Sequence, residues 1–307
     1  MQPARAILLT LTAVTLFTAM AALIKATADH VPPGEAVFFR SLFALPVIVG
    51  WLVMQGELPA SLRTRDPLGH LWRGLIGCTA MGLMFAGLGL LPLPEVTAIG
   101  FASPLLVVVF AALLLGEKVR LFRIGSVILG LVGVLIILSP RLSAFGAGGL
   151  EQRAALGAVV VLAGAACRAL AQIQIRRLVQ KERTATIVFW FSVTATVLSL
   201  LTAPFGWVMP APREALMLVV AGLIGGFGQI ALTSAYRYAE AAVIAPFDYA
   251  SMLLALAVGY FVFAEVPTPT MLFGAALIMA AGGLIMWRER QLGLKRGKAR
   301  PGITPQG

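Results

Sequence analysis

Between residues 6 and 286 the chain is a succession of apolar runs, each about as long as a bilayer is thick. A helix needs about 20 mostly apolar residues, at 1.5 Å rise each, to cross roughly 30 Å of hydrocarbon. Cut at Pro, Gly and charged punctuation, ten segments qualify: 6–27, 34–54, 71–90, 96–115, 122–138, 154–175, 185–205, 215–236, 241–263 and 270–286. Their apolar residues are continuous rather than alternating, which excludes membrane barrel strands. The longest connections, 56–70 and 139–153, are too small for a folded soluble domain. Composition agrees. With 59% hydrophobic residues, 12% charged and a mean hydropathy of +0.93, too little polar surface exists to coat a water-soluble globule. The expected fold is an all-α integral membrane protein with ten transmembrane helices.

A net charge of +11 would suit nucleic acid only if the basic residues gathered on one solvated domain. They sort across a membrane instead, so no nucleic-acid partner is expected. With the N-terminus inside, eighteen of the 24 Lys and Arg fall on the cytoplasmic side, Arg63, Arg65 and Arg73 among them. Arg141, Arg153 and Arg213 fall on the other side, and Lys25, Arg40 and Arg168 lie within spans. The positive-inside rule then places both termini in the cytoplasm, with the basic tail near anionic lipid. The first segment ends in Ala26-Thr27-Ala28, a small-x-small pattern of the kind signal peptidases cut. Its long apolar run, its late Lys25 and its place in the repeat below mark it as a retained span. Cys78 and Cys167 lie far apart in apolar segments and read as small buried hydrophobes. His30 and His70 fall on opposite sides of the membrane, and no triad, metal cluster or phosphate loop forms. No enzymatic activity, cofactor or metal is expected.

The chain also repeats itself. The stretches from Glu95 and from Glu240 both run through a Pro-containing apolar helix and close it with Glu, at Glu117 and Glu265. Gly125 and Gly133 then match Gly274 and Gly282 at an offset of 149, and residues 35–41 match 186–192 at an offset of 151. A five-helix unit is duplicated: a first repeat over 1–138, a periplasmic connection over 139–153, a second repeat over 154–287 and a tail over 288–307. Because five is odd, the second copy is inverted. Inverted repeats are a signature of transporters that give each side of the membrane alternate access to a midplane site.

With "FASPLLVVVFAALLLGE" in one half and "APFDYASMLLALAVGYFVFAE" in the other, the chain resembles the EamA-type drug/metabolite transporter superfamily over residues 5–288. The resemblance implies a secondary carrier of a small organic solute in the bacterial cell inner membrane. "VPPGEAVFFRS" and "GLGLLPLPEVTAIGFASPLL" are most similar to members that take up riboflavin. Similar chains carry amino acids, S-adenosylmethionine or other metabolites, often outward. Riboflavin import is therefore the expected activity, with amino-acid or S-adenosylmethionine transport as the alternative. A non-transporting scaffold or channel is the rival of another class.

An ionised side chain at mid-bilayer costs about 2.5–3.5 kcal/mol on insertion scales, so charges within spans mark a cavity or a partner. Arg168 and Asp248 each lie seven residues from the cytoplasmic end of their span, about 10 Å deep. They are expected to share one polar layer, as an ion pair or as two poles of a substrate site. Pro104 and Pro246, in similar places of the two halves, loosen their helices by removing an amide donor, which is tolerated beside a wet cavity. The candidate substrate-binding residues are Arg40, Phe101, Ser103, Arg168, Gln172, Gln229, Asp248 and Tyr249. Phe39, Trp72, Trp190, Phe247 and Tyr249 could stack on a flat ring such as a flavin, although such aromatics more often pack or anchor. Lys25 is expected to snorkel, Glu117 and Glu265 to stabilise helix starts, and Asp248 is a candidate proton relay. The expected partners are thus a small organic solute, lipid and protons; the sequence leaves the oligomeric state open.

Overall fold

Proline opens most of the long helices, as it should where a first-turn N–H has no intrahelical acceptor and φ is already fixed. The structure, a computed structural model, describes residues 2–116, 121–142, 149–179, 181–238 and 247–298. Its helices are α1 (Pro3–Thr27), α2 (Pro33–Met54), a short α3 (Leu58–Ser61), α4 (Pro67–Leu88), α5 (Leu93–Gly100), α6 (Ala102–Leu115) and α7 (Leu121–Leu142). They continue with α8 (Gly149–Leu178), α9 (Thr184–Leu200), α10 (Pro212–Tyr238), α11 (Ala250–Phe263) and α12 (Pro269–Lys298). Among the described residues there is no strand. Eight stretches are long and apolar enough to cross a membrane, with α5 and α6 counted as one, and α9 and α11 are shorter apolar helices. Outward faces are as apolar as the core: Leu113 is 73% exposed and Phe261 82% exposed. In water that pattern would be untenable; against lipid it is ordinary.

The packing has an internal exchange symmetry. α1 lies on α10 as α4 lies on α8, and α2 lies on α10 as α4 lies on α9. α2 also meets α9, α7 meets α12, and α5 meets α11. Exchanging α1 with α8, α2 with α9, α4 with α10, α5–α6 with α11 and α7 with α12 maps each of these contacts onto another or onto itself. The backbone obeys the same exchange. α6 ends at Gly116 (φ 66°) and α11 at Ala264 (φ 53°), both left-handed caps and 148 residues apart.

Two ends of the bundle follow from the contacts. At the near end, which carries Gln2, the Gln2 amide donates to the Tyr238 carbonyl at 3.1 Å and the Arg5 guanidinium lies over the Tyr238 ring at 4.4 Å. At the far end, Arg141 grips Glu95 at 2.6 and 3.2 Å, and the Val208 amide donates to Glu35 at 3.1 Å. At the crossing of α7 and α12 backbone meets backbone. A Cβ on Gly133 would stand 2.7 Å from the Gly274 carbonyl oxygen, and one on Gly274 would stand 2.6 Å from that of Gly133. Under the repeat exchange this contact has a mate, Gly125 against Gly282. The mate is not made: nothing stands within 4 Å of a Cβ built on Gly125, and Gly282 is covered by Tyr249 instead.

Candidate functional site

The fourth apolar segment breaks in its middle. Pro104, in the first turn of α6, has no N–H for the Gly100 carbonyl and its ring crowds that oxygen. The chain turns at Phe101, which separates α5 from α6. In the second half the turn falls at Tyr249, whose φ and ψ of −68° and −13° nearly repeat the −69° and −5° of Phe101. No proline follows at the equivalent place. The Ser251 hydroxyl instead donates to the Asp248 carbonyl at 2.7 Å, and the Met252 amide to that of Tyr249 at 3.0 Å. At the offset of 148, Phe101 pairs with Tyr249 and Ser103 with Ser251, while Pro104 pairs with Met252. The expected likeness of Pro104 and Pro246 is therefore out of register, and Pro246 itself lies outside the described residues. The two break residues touch, ring centroids 4.8 Å apart.

Around that contact stand the charged candidates. The Arg168 Nη1 lies 3.9 Å from where a Gly100 Cβ would be, so the guanidinium faces the α5–α6 break. It is accessible although Gly100 beside it is buried, and Gln172, one turn along α8, is accessible too. Asp248, half-buried, occupies the place in the second half that Gly100 holds in the first. No ion pair joins Arg168 to Asp248; among the described residues neither side chain has a charged or hydrogen-bonding partner. Ser103 is buried at 1% exposure and its hydroxyl is likewise unpartnered. Gln229 is half-buried on α10 with no hydrogen bond to the others. Tyr249 lays its hydroxyl against Gly282, where any side chain would collide.

Arg40 stands apart from this group. Its Nε lies 3.2 Å from where a Gly225 Cβ would be, on the α2–α10 face. Arg73, placed among the cytoplasmic anchors by sequence, turns inward over the Phe191 ring at 4.1 Å. The signal available was its depth, six residues inside α4. Trp72 beside it points outward, 55% exposed.

Lys25 does not snorkel. Its Nζ donates to the carbonyls of Leu88 (3.0 Å) and Leu91 (2.8 Å) and pairs with Glu265 at 2.9 Å. Glu265 also accepts from the Leu93 amide at 2.8 Å, so it does steady a helix start, that of α5 rather than the helix following it. Glu117 lies outside the described residues. At the near end, Asp66 caps α4 through the Gly69 amide at 2.9 Å, and that backbone bond chiefly holds its carboxyl below the usual range. Burial works to raise the Glu182 carboxyl, and bonds from Thr64 and the Arg65 and Asp66 amides overcome it, leaving it lowered. A cleft of about 720 Å³ opens beside them, lined by Arg63, Arg65, Lys181 and Arg183 among others; none of the candidate site residues reaches it.

The comparisons with known proteins fit a duplicated carrier fold. The model of a family described as "EamA-like transporter family" matches residues 4–139 and again 155–287. The pseudopaline exporter CntI of Pseudomonas aeruginosa (strain UCBPP-PA14) is 30% identical over 90% of this chain and 93% of its own. The S-adenosylmethionine uptake transporter of Rickettsia prowazekii (strain Madrid E) is 27% identical over 84% of each chain. The riboflavin transporter of Rhizobium johnstonii (strain DSM 114642 / LMG 32736 / 3841) is 29% identical over 84% of this chain and 82% of its own. A crystal structure shares the fold at a TM-score of 0.64 and 23% identity, covering 94% of this chain and 98% of that one.

Proposed function

Because the chain belongs to the EamA-like transporter family and is a multi-pass membrane protein, we propose that it is a secondary transporter that moves a small organic solute by alternating access. Ten spans form two inverted five-helix repeats, bounded at 1–138 and 154–287, with both termini in the cytoplasm of a bacterial cell and the bundle in its inner membrane. The near end is then the cytoplasmic one. What carries the reading is the meeting of two helix breaks, Phe101 and Tyr249, beside two charges of opposite sign that do not neutralise each other. Broken helices at a repeat interface supply free backbone groups, and unspent charges inside a membrane are kept for a ligand.

Flat-ring solutes suit the aromatic pair. Riboflavin, which the sequence resemblance implied, supplies the ring but no charged head. A solute with an amino-acid head, as S-adenosylmethionine has, also answers Arg168 with a carboxylate and Asp248 with an ammonium. Relatives carry either one, and the unpaired charges favour the second. Protons bound at Asp248 are the proposed coupling ion. Purified protein in proteoliposomes, loaded or driven by a pH gradient, tests this with labelled riboflavin and labelled S-adenosylmethionine. Saturable uptake that falls at least tenfold in both Arg168→Ala and Asp248→Asn supports the site. Normal transport in both variants overturns it.

A further inference from the structure

Buried polar atoms without partners are not scattered through this protein. Among the described residues, seven such side-chain atoms belong to Arg40, Ser41, His70, Arg73 and Trp190, on α2, α4 and α9. These three helices pack on one another. The Arg73 guanidinium reaches Gly77, one turn deeper along α4, and the Arg40 Nε reaches Gly225 of α10, 3.2 Å from where its Cβ would be. The His70 and Trp190 rings are 6.4 Å apart, and Arg73 lies over Phe191, the neighbour of Trp190. Arg40 is 6% exposed and His70 is 2% exposed.

Left alone, this cluster is a poor bargain. Two guanidiniums repel each other in a low-dielectric interior, and an uncompensated buried charge is among the costliest things a fold can hold. Among the described residues no carboxylate stands in ion-pair range of either. Two acids stand beside His70: Glu182, 3.8 Å from its Nε2, is already engaged by Thr64 and two backbone amides, and Asp66 by the Gly69 amide and Lys181. What the cluster offers is mainly donors: Arg40 Nε, Arg73 Nε and Nη1 and the Trp190 indole N–H, with the Ser41 hydroxyl and the His70 ring able to donate or accept. Guanidinium forks match planar oxyanions, which accept two parallel hydrogen bonds.

We propose that Arg40 and Arg73, with Trp190 beside them, form an anion-binding station for one carboxylate or phosphate group. The anion is either the head group of the carried solute or a free inorganic counter-anion. The station uses none of the residues at the Phe101–Tyr249 contact: a solute head group held here would take its carboxylate in place of Arg168, and a counter-anion held here leaves the substrate reading above untouched.

The test is thermal unfolding of the purified full-length protein in detergent, titrated with citrate, acetate or inorganic phosphate at constant ionic strength in potassium chloride. The expected wild-type result is a saturable rise in melting temperature. In Arg73→Gln the half-saturating anion concentration should climb at least tenfold. Without added anion the same variant should melt at or above the wild-type temperature, because a repelling charge has gone; an arginine with a merely structural role would melt lower. Arg40→Gln gives the same two readouts if Arg73→Gln is not recovered folded, and Trp190→Phe should weaken binding less than either. Arg63→Gln, exposed in the near-end cleft, should leave the titration unchanged. A rise with carboxylates alone points to the solute head group, and a rise with phosphate as well points to a counter-anion. No saturable rise with any of the three, or a rise that Arg73→Gln and Arg40→Gln both retain, would overturn the proposal.

Discussion

Lys25 and Glu265 tie the two repeats together at the far end of the bundle, and breaking them should make that end open more readily. The pair joins α1, α4 and α5 of the first repeat to the end of α11 in the second. At 2.9 Å and an effective dielectric of about 20, the gross attraction is about 6 kcal/mol. Desolvation offsets much of that. The side chains keep 13% and 15% exposure, so a net contribution of about 2 kcal/mol, typical of a charge-assisted hydrogen bond, is the working figure. Glu265→Gln keeps an acceptor for the Leu93 amide and loses only the charge. That should shift the far-end opening equilibrium about 30-fold. Glu265→Ala also orphans the Leu93 amide, adding about 1–3 kcal/mol. The assay is labelling by a membrane-impermeant maleimide of a single cysteine placed at Val31, which is 2% exposed at the far end, in a Cys78→Ser, Cys167→Ser background. Lys25→Met should accelerate labelling as Glu265→Gln does, and the double variant should do no more, since the two act through one contact. Labelling rates within twofold of the parent in all three would refute the lock.

Three further outcomes are expected. Ala264→Gly relieves an alanine held at φ 53° and should raise stability by about 1 kcal/mol, visible as a higher melting temperature. Gly282→Ala pushes against the Tyr249 hydroxyl; transport should fall while the protein still folds, and Tyr249→Phe in the same chain should restore part of it. Glu182 titrates below its ordinary value of 4.5, so its contribution is complete above that pH and is lost as pH falls through the lower folded-state value. Glu182→Gln should accordingly flatten the acid limb of the stability curve, measured by unfolding between pH 3 and 6, and leave neutral-pH anion binding at Arg40 and Arg73 intact.

Much of the architecture was legible because lipid makes length and hydropathy decisive. The duplication was visible in Glu117 with Glu265 and in the glycines, yet its register at the critical break was not. Proline dominates a sequence comparison, so Pro104 suggested Pro246, whereas the backbone pairs Phe101 with Tyr249 and sustains the second break with the Ser251 hydroxyl. Depth along a helix singled out Arg168 and Asp248 but left open whether they pair, and no ion pair joins them. Lys25 read as an anchor because carbonyl acceptors at Leu88 and Leu91 leave no trace in a sequence. Arg73 was hidden by its place among positive-inside residues; the direction its side chain takes depends on α9 supplying Phe191.

The Gly133–Gly274 contact behaves like one half of a zip with two sliders. Trading the conformations of the two repeats would close the seam between Gly125 and Gly282 and part the one now closed. The Tyr249 hydroxyl sits in the path of that second slider, so it has to withdraw first. A tyrosine that faces its partner ring on one side and jams a glycine seam on the other would, under the proposed alternating access, tie occupancy of the solute site to the direction in which the molecule can next unfasten.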